Sequence, residues 1–285
     1  MRASGLVSSL RYMTQFTLKA ELLAEFVGTM VLLLFGNGVV AMVVLFGHSL
    51  PGEIVNGGYT NITLAWGIGV TLAVYVAGRV SGAHLNPAVT LSLAVFRGFS
   101  WRKVVPYSIA QVAGAFTGAA LVYWEYRPQF NIADPLRDHT AGVFTTFPAF
   151  PNIPAAGLFD QILGTALLML VILAVTDRRN LAPSGNISPI LVGLSVVVIG
   201  MSFGSLYGYA INPARDFGPR LMTVIAGFKN NGITDGTGAF WIPIVGPLIG
   251  GVVGSAIYDF GIGYWLKHET TDLNGAVKFE SEDVS

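Results

Sequence analysis

The chain has 285 residues, 53% of them hydrophobic and only 11% charged, with a mean hydropathy of +0.62. So apolar and sparsely charged a chain is no ordinary soluble domain and reads as an integral membrane protein. Acids and bases balance at 16 each, which leaves no net field to attract nucleic acid, and the absence of cysteine excludes disulfides, thiolate metal sites and a cysteine nucleophile. Nothing in the sequence calls for a metal or another cofactor, and no catalytic residues are expected.

In chain order, the N-terminus carries Arg2, Arg11 and Lys19 but no short apolar core with a small-residue cleavage site, so the first apolar run is read as a retained span. Apolar segments near 20–45, 61–80, 104–124, 157–176, 187–206 and 240–265 each approach the ~20 residues that a helical span needs. After the second and the fifth of these the same tripeptide occurs, as Asn86, Pro87, Ala88 and as Asn212, Pro213, Ala214. Asparagine suits the N-cap, where its side-chain oxygen accepts a backbone N–H, and proline suits the first helical position, where its missing N–H costs nothing. Each tripeptide therefore predicts a helix start. The runs that follow, 89–96 and 215–226, are too short to span, because ten residues rise about 15 Å against a hydrocarbon core of about 30 Å.

The stretch 125–156, with Pro128, Pro135, Pro148, Pro151 and Pro154, is expected to be the longest connection and to lie outside, and 269–285 to be a polar, disordered tail. Basic residues cluster in the connections on one side (Arg97, Arg102, Lys103, Arg178, Arg179) and at both termini. Only Arg127, Arg137, Arg220 and Lys229 fall clearly on the other side, which predicts cytoplasmic termini.

The halves repeat. Residues 25–29 (EFVGT) correspond to 161–165 (QILGT), and the chain is read as one channel domain over 1–285 with repeats about 20–124 and 157–265. An odd number of spans separates the copies, so the repeats are inverted and the two half-helices enter from opposite faces, cap to cap at mid-membrane. The fold class is thus an all-α membrane protein of six spans and two re-entrant half-helices. Irregular backbone at that depth must be buried in protein or line a wet cavity, which implies a path through the protomer.

The segment 81–90 (SGAHLNPAVT), taken with 208–219 (GYAINPARDFGP), resembles the aquaporin family and, more narrowly, its aquaglyceroporin branch, over about residues 20–265. That resemblance implies a passive channel for glycerol and other small uncharged polyols, with urea as a further candidate, that also passes water while half-helix dipoles and an arginine exclude protons and ions. It further implies a homotetramer in the lipid bilayer of the plasma membrane, one pore per protomer, and a selectivity filter at Trp66, Gly200, Tyr209 and Arg215. In water-selective relatives the position of Gly200 is typically histidine and that of Asp216 typically serine, so both point to the wider type. An interfacial aromatic belt is the other reading of Trp66 and Tyr209. A water-dominant channel, an ion-coupled transporter and a non-conducting scaffold are the alternatives. The transporter lacks a mid-membrane carboxylate pair for its ion.

With the Asn86 and Asn212 side-chain oxygens engaged as caps, both amide N–H donors of each are expected to face the pore. The non-helical backbone before each cap, Gly82, Ala83, His84, Leu85 and Gly208, Tyr209, Ala210, Ile211, is expected to present unpaired carbonyls as an acceptor ladder. The hydroxyl of Tyr209, where some glycerol channels carry phenylalanine, is expected to narrow or polarise the filter. Glu25 is either an ion or proton site or an acceptor for backbone N–H groups of a re-entrant loop. Its repeat partner Gln161 favours the second role, since a group that cannot ionise serves there. Asp160 is read as interfacial, His84 as a loop-packing or ladder residue with a pH gate as the alternative, and Asp216 as pairing locally to shape the outer loop.

Overall fold

The structure is a computed structural model that describes residues 16–46 and 56–268, so the expected tail 269–285 and the basic residues Arg2, Arg11 and Lys278 lie outside the described residues. Nine α-helices are present among the described residues: α1 (Leu18–Leu45), α2 (Gly58–Ser81), α3 (Pro87–Phe96), α4 (Trp101–Ala133), α5 (Pro154–Thr176), α6 (Ser188–Tyr207), α7 (Pro213–Ile225), α8 (Ile242–Phe260) and α9 (Ile262–Lys267). Six segments, α1, α2, α4, α5, α6 and α8 with the turn before it, are long and apolar enough to cross a membrane. The short helices α3 and α7, of 10 and 13 residues, rise only about 15 and 20 Å.

Small residues set the helix crossings. In the first repeat α1 packs on α2 and α4, and in the second α5 packs on α6 and α8. A Cβ on Gly114 or Gly118 of α4 would lie 2.2 Å from the Phe26 carbonyl oxygen and 2.7 Å from that of Met30. The same register recurs in the second repeat, where a Cβ on Gly250 or Gly254 of α8 would lie 2.3 Å from the Ile162 oxygen and 2.1 Å from that of Ala166. Backbone therefore meets backbone at both crossings, a closeness that only glycine permits. The half-helices are exchanged between repeats, with α3 lying on α8 and α7 on α4.

Two expected boundaries move. The helix α4 runs 33 residues to Ala133, through Pro128, so the long connection begins only at Asp134. Tertiary packing overrides the proline there: Phe130 is buried against Phe144 and Phe228 at ring-centroid distances of 5.6 and 5.7 Å, and Gln129 Nε2 donates to the Leu45 oxygen at 2.8 Å. The span expected over 240–265 is divided, because α8 stops at Phe260 and Gly261 adopts φ −90°, ψ −102° before α9.

The connection after α4 is ordered by its own first residue. Asp134 accepts from the backbone N–H groups of Asp138, His139 and Thr140 and from the Thr140 hydroxyl, all at 2.8–2.9 Å. Burial opposes its ionisation, but these hydrogen bonds outweigh burial and hold the carboxyl at about 2. The rigidity matters because residues 143–146 of this connection supply backbone to the site.

Candidate functional site

The tripeptides cap as their chemistry dictates. Asn86 Oδ1 accepts the N–H of Ala88 at 2.8 Å, and Asn212 Oδ1 accepts those of Ala214 and Arg215 at 3.0 and 3.2 Å, with Pro87 and Pro213 in the first turns. The backbone before each cap follows one path twice: φ is positive at Gly82, Ala83 and Leu85 (88°, 50°, 53°) and at Gly208, Tyr209 and Ile211 (70°, 37°, 44°). A left-handed non-glycine residue costs about 1–3 kcal/mol, so the surroundings must hold each loop in place.

Glu25 and Gln161 provide that hold, in chemically different ways. Glu25 faces four donors: Oε1 accepts from Ser81 Oγ (2.6 Å) and His84 N–H (2.9 Å), and Oε2 from Leu85 N–H (2.7 Å) and Gln111 Nε2 (2.8 Å). Gln161 Oε1 accepts from Ile211 N–H at 2.9 Å, while its Nε2 donates to Asp160 Oδ2 (3.1 Å) and the Tyr207 oxygen (3.4 Å). Both therefore accept backbone N–H groups of the loop before a cap, the role expected for Glu25, but one site presents only donors and the other a mixture. Asp160, read as interfacial, is buried in the protein at 4% exposure beside Gln161. His84 packs edge-on against Phe99, ring centroids 4.5 Å apart, with Nδ1 3.1 Å from Thr90 Oγ1.

Where the two caps meet, the two halves are stitched together. Asn86 Nδ2 donates to the Ile211 oxygen at 2.9 Å, and Asn212 Nδ2 donates to the Leu85 oxygen at 2.8 Å. Two expectations change with this. Each amide retains one free N–H rather than two, and the carbonyls of Leu85 and Ile211 are engaged rather than unpaired. The carbonyls of Gly82, Ala83, His84, Gly208, Tyr209 and Ala210 accept no hydrogen bond from the described residues.

These groups surround a cavity of about 800 Å³. The lining includes the loop and cap residues Gly82, Ala83, His84, Leu85, Asn86, Ala210, Ile211 and Asn212 and the apolar helix residues Leu32, Val70, Val74, Leu168, Ile172 and Val196. One end is lined by Tyr75, Arg79 and Asn186, and the other by Trp66, Tyr209 and Arg215. The Arg215 guanidinium carbon lies 4.1 Å from the centroid of the Trp66 ring, a cation–π stack, and Nη1 donates to the Phe144 oxygen at 3.4 Å. Gly208 and Gly200 are not part of this lining. A Cβ on Gly200 would lie 2.8 Å from Tyr209 Cζ, so Gly200 stands behind that ring and makes room for it.

The Tyr209 hydroxyl is buried and has no hydrogen-bond partner among the described residues. Tyr209→Phe is predicted to keep the glycerol-to-water permeability ratio within about twofold and to hold or raise the melting temperature, since an orphan buried hydroxyl costs about 1–3 kcal/mol. A ratio that collapses in osmotic-flux measurements would return the hydroxyl to the filter.

Behind Arg215 lies a network that the sequence reading largely missed. Asp216 and Arg220 are both 0% exposed and pair at 2.8 Å between Oδ1 and Nε. Asp216 Oδ2 also accepts the Thr146 N–H and hydroxyl at 2.8 Å, and Arg220 donates to the oxygens of Thr146 (2.6 Å) and Asn231 (2.9 Å). The spacing of four on a short helix is the signal that could have paired them. Counting Arg220 as a loop charge concealed it.

Six spans enclosing two capped half-helices that meet beside a cavity lined by loop backbone and apolar helix residues define a membrane channel. The profile of the major intrinsic protein family matches residues 12–258, and the chain belongs to that family. It is 42% identical over 281 residues to Aquaglyceroporin-2 of Rhizophagus irregularis, covering 96% of this chain and 85% of that one. It is 43% identical over 262 residues to the glycerol uptake facilitator protein of Escherichia coli K12, covering 88% and 90%. The X-ray structure of the aquaglyceroporin from Plasmodium falciparum superposes with a TM-score of 0.77 at 32% identity, covering 88% of this chain and all of that one. The protein is thus an integral, multi-pass membrane protein with the aquaporin fold.

Proposed function

We propose that the protein is a passive channel for glycerol and other small uncharged polyols, that it also passes water, and that it excludes protons and ions. The observation that carries this reading is the cavity's mixed lining. A linear polyol presents hydroxyls along one edge and C–H along the other, and the cavity offers both carbonyls unpaired among the described residues and apolar helix side chains, with Arg215 stacked on Trp66 in its lining. Relatives at 42% and 43% identity named an aquaglyceroporin and a glycerol uptake facilitator support the same solute class.

Charge exclusion follows from the half-helices. Each N-terminus carries the equivalent of roughly +0.5 elementary charge, and the two point at one spot. A water that accepts the remaining N–H of both Asn86 and Asn212 has no lone pair free for its neighbour, which interrupts a proton wire. The reading extends to a single channel domain over 1–285 that acts by permeation and without catalysis, assembled as a homotetramer in the plasma membrane. It places both termini in the cytoplasm. Two of the four basic residues on the opposite face, Arg137 and Arg220, are buried in structural contacts, so the positive-inside bias is steeper than a residue count suggests.

Stopped-flow light scattering on proteoliposomes tests the function. Fast glycerol equilibration together with water flux is expected, and water flux alone would reject the glycerol assignment. Arg215→Val is predicted to keep solute flux while raising proton or cation leak at least about tenfold, the effect of removing about 1.4 kcal/mol of barrier. An unchanged leak removes Arg215 from the exclusion mechanism.

A further inference from the structure

Trp66 reaches the tube from α2, but what fixes its depth is on α1. A Cβ built on Gly36 would lie 2.4 Å from Trp66 Cη2, 2.4 Å from Cζ3 and 2.5 Å from Cε3, so the face of the indole's benzo ring rests directly on the bare backbone of that residue. The opposite side of the same side chain receives the Arg215 guanidinium at 4.1 Å. Trp66 and Arg215 line the cavity; Gly36 does not.

The next residue holds the other filter group. Asn37 is fully buried, and its Nδ2 donates to the oxygens of Val143 (3.0 Å) and Phe144 (3.2 Å), the latter being the carbonyl to which Arg215 Nη1 donates. Two successive residues of α1 thus seat the indole and anchor the acceptor of the guanidinium, although neither touches the path.

We propose that Gly36 is a specificity-determining residue that acts through Trp66. Its missing side chain is the socket that keeps the indole back from the tube, and any side chain there drives the ring toward Arg215 and narrows the passage for a polyol more than for water. Carbon atoms settle at about 3.5–4.0 Å, so a Cβ at 2.4 Å demands a ring displacement of about 1 Å or more. Helix α1 is itself held in place, since its Phe26 and Met30 carbonyls already meet Gly114 and Gly118 of α4 with backbone against backbone. The indole is the part that yields, and away from α1 the open direction is the cavity. In a single-file path a shift of that size separates a three-carbon solute from water.

The inference rests on reading Trp66 and Arg215 as the solute filter, and the test keeps the two claims apart. Glycerol and water permeabilities are measured on proteoliposomes holding equal amounts of wild type, Gly36→Ala, Trp66→Phe and the double variant. Gly36→Ala is expected to lower glycerol flux about tenfold, equivalent to about 1.4 kcal/mol of barrier, with water flux falling no more than about threefold. In the Trp66→Phe background, where the benzo ring is gone, Gly36→Ala should change the glycerol rate less than about twofold. Equal losses of glycerol and water, or the same glycerol loss in both backgrounds, overturn the socket. If Gly36→Ala does not fold, recovery of folded, glycerol-conducting protein in the double variant supports the proposal, and failure of both overturns it, because the added methyl then conflicts with something other than the indole. A wild-type protein that passes no glycerol rejects the filter reading and the socket with it.

Discussion

Asp216→Ala is expected to destabilise the protein by about 3–5 kcal/mol, because it strands the Arg220 guanidinium as an uncompensated charge in a fully buried position. The cost is specific to breaking the pair. Arg220 would keep its bonds to the Thr146 and Asn231 oxygens but lose its counter-charge, and the Thr146 N–H and hydroxyl would lose their acceptor. Functional damage should accompany the loss of stability. Asp216 directly follows Arg215, and Thr146 lies two residues after Phe144, whose oxygen receives the Arg215 guanidinium. Replacing both charges, as in Asp216→Leu with Arg220→Met, should recover much of the stability, since well-packed apolar pairs often substitute for buried ion pairs without loss. Thermal unfolding in detergent, followed by intrinsic fluorescence, reads both variants. A loss below about 1 kcal/mol for Asp216→Ala would show that the charge is solvated and that the network does not brace the filter.

The second large effect is expected at Glu25→Gln, a change that preserves shape and removes only an acceptor. All four groups around the carboxylate donate to it, so one edge of a glutamine must turn its NH₂ toward donors. At least one buried N–H is then left unpaired next to a second donor, at about 1–3 kcal/mol for each unsatisfied group. The loop that loses its hold contains Ala83 and Leu85 at φ of 50° and 53°, conformations that relax once released. A lowered melting temperature and a loss of glycerol flux at equal protein amount are predicted together, because the ladder carbonyls of 82–84 turn with that backbone. Gln161→Glu does not mirror this change, since it places a second carboxylate where Nε2 now donates to Asp160 Oδ2 at 3.1 Å. Wild-type flux and stability in Glu25→Gln would show that the carboxylate does not shape the loop.

Much of this architecture was legible in the chain because its determinants are local. Cap chemistry at Asn86 and Asn212 needs only the residues that follow, and hydrophobic length locates the six spans, though not the ends of α4 and α8. Inversion follows from the odd number of spans per repeat. The contacts that escaped the sequence are those whose partners lie far along the chain. The Asn86 amide is spent on Ile211, which only the meeting of two half-helices brings near, and α4 continues through Pro128 because Phe144 and Phe228 wait beyond the turn. The orientation of the Tyr209 hydroxyl, the burial of Asp160 and the place of Gly200 behind an aromatic ring likewise depend on how helices cross. Composition and periodicity carry no record of such crossings. The difference between Glu25 and Gln161 was visible as a substitution, but its meaning required counting the donors around each.

The central claim is that one narrow path admits a neutral polyol while two helix N-termini, the paired asparagine amides and Arg215 bar charge. It is tested most directly by recording glycerol entry and proton entry in the same proteoliposomes, with a trapped pH-sensitive dye and imposed glycerol and pH gradients. Rapid glycerol equilibration with proton entry no faster than in protein-free liposomes is predicted. Proton entry that rises in step with glycerol flux, or glycerol flux no faster than across bare lipid, would contradict the account.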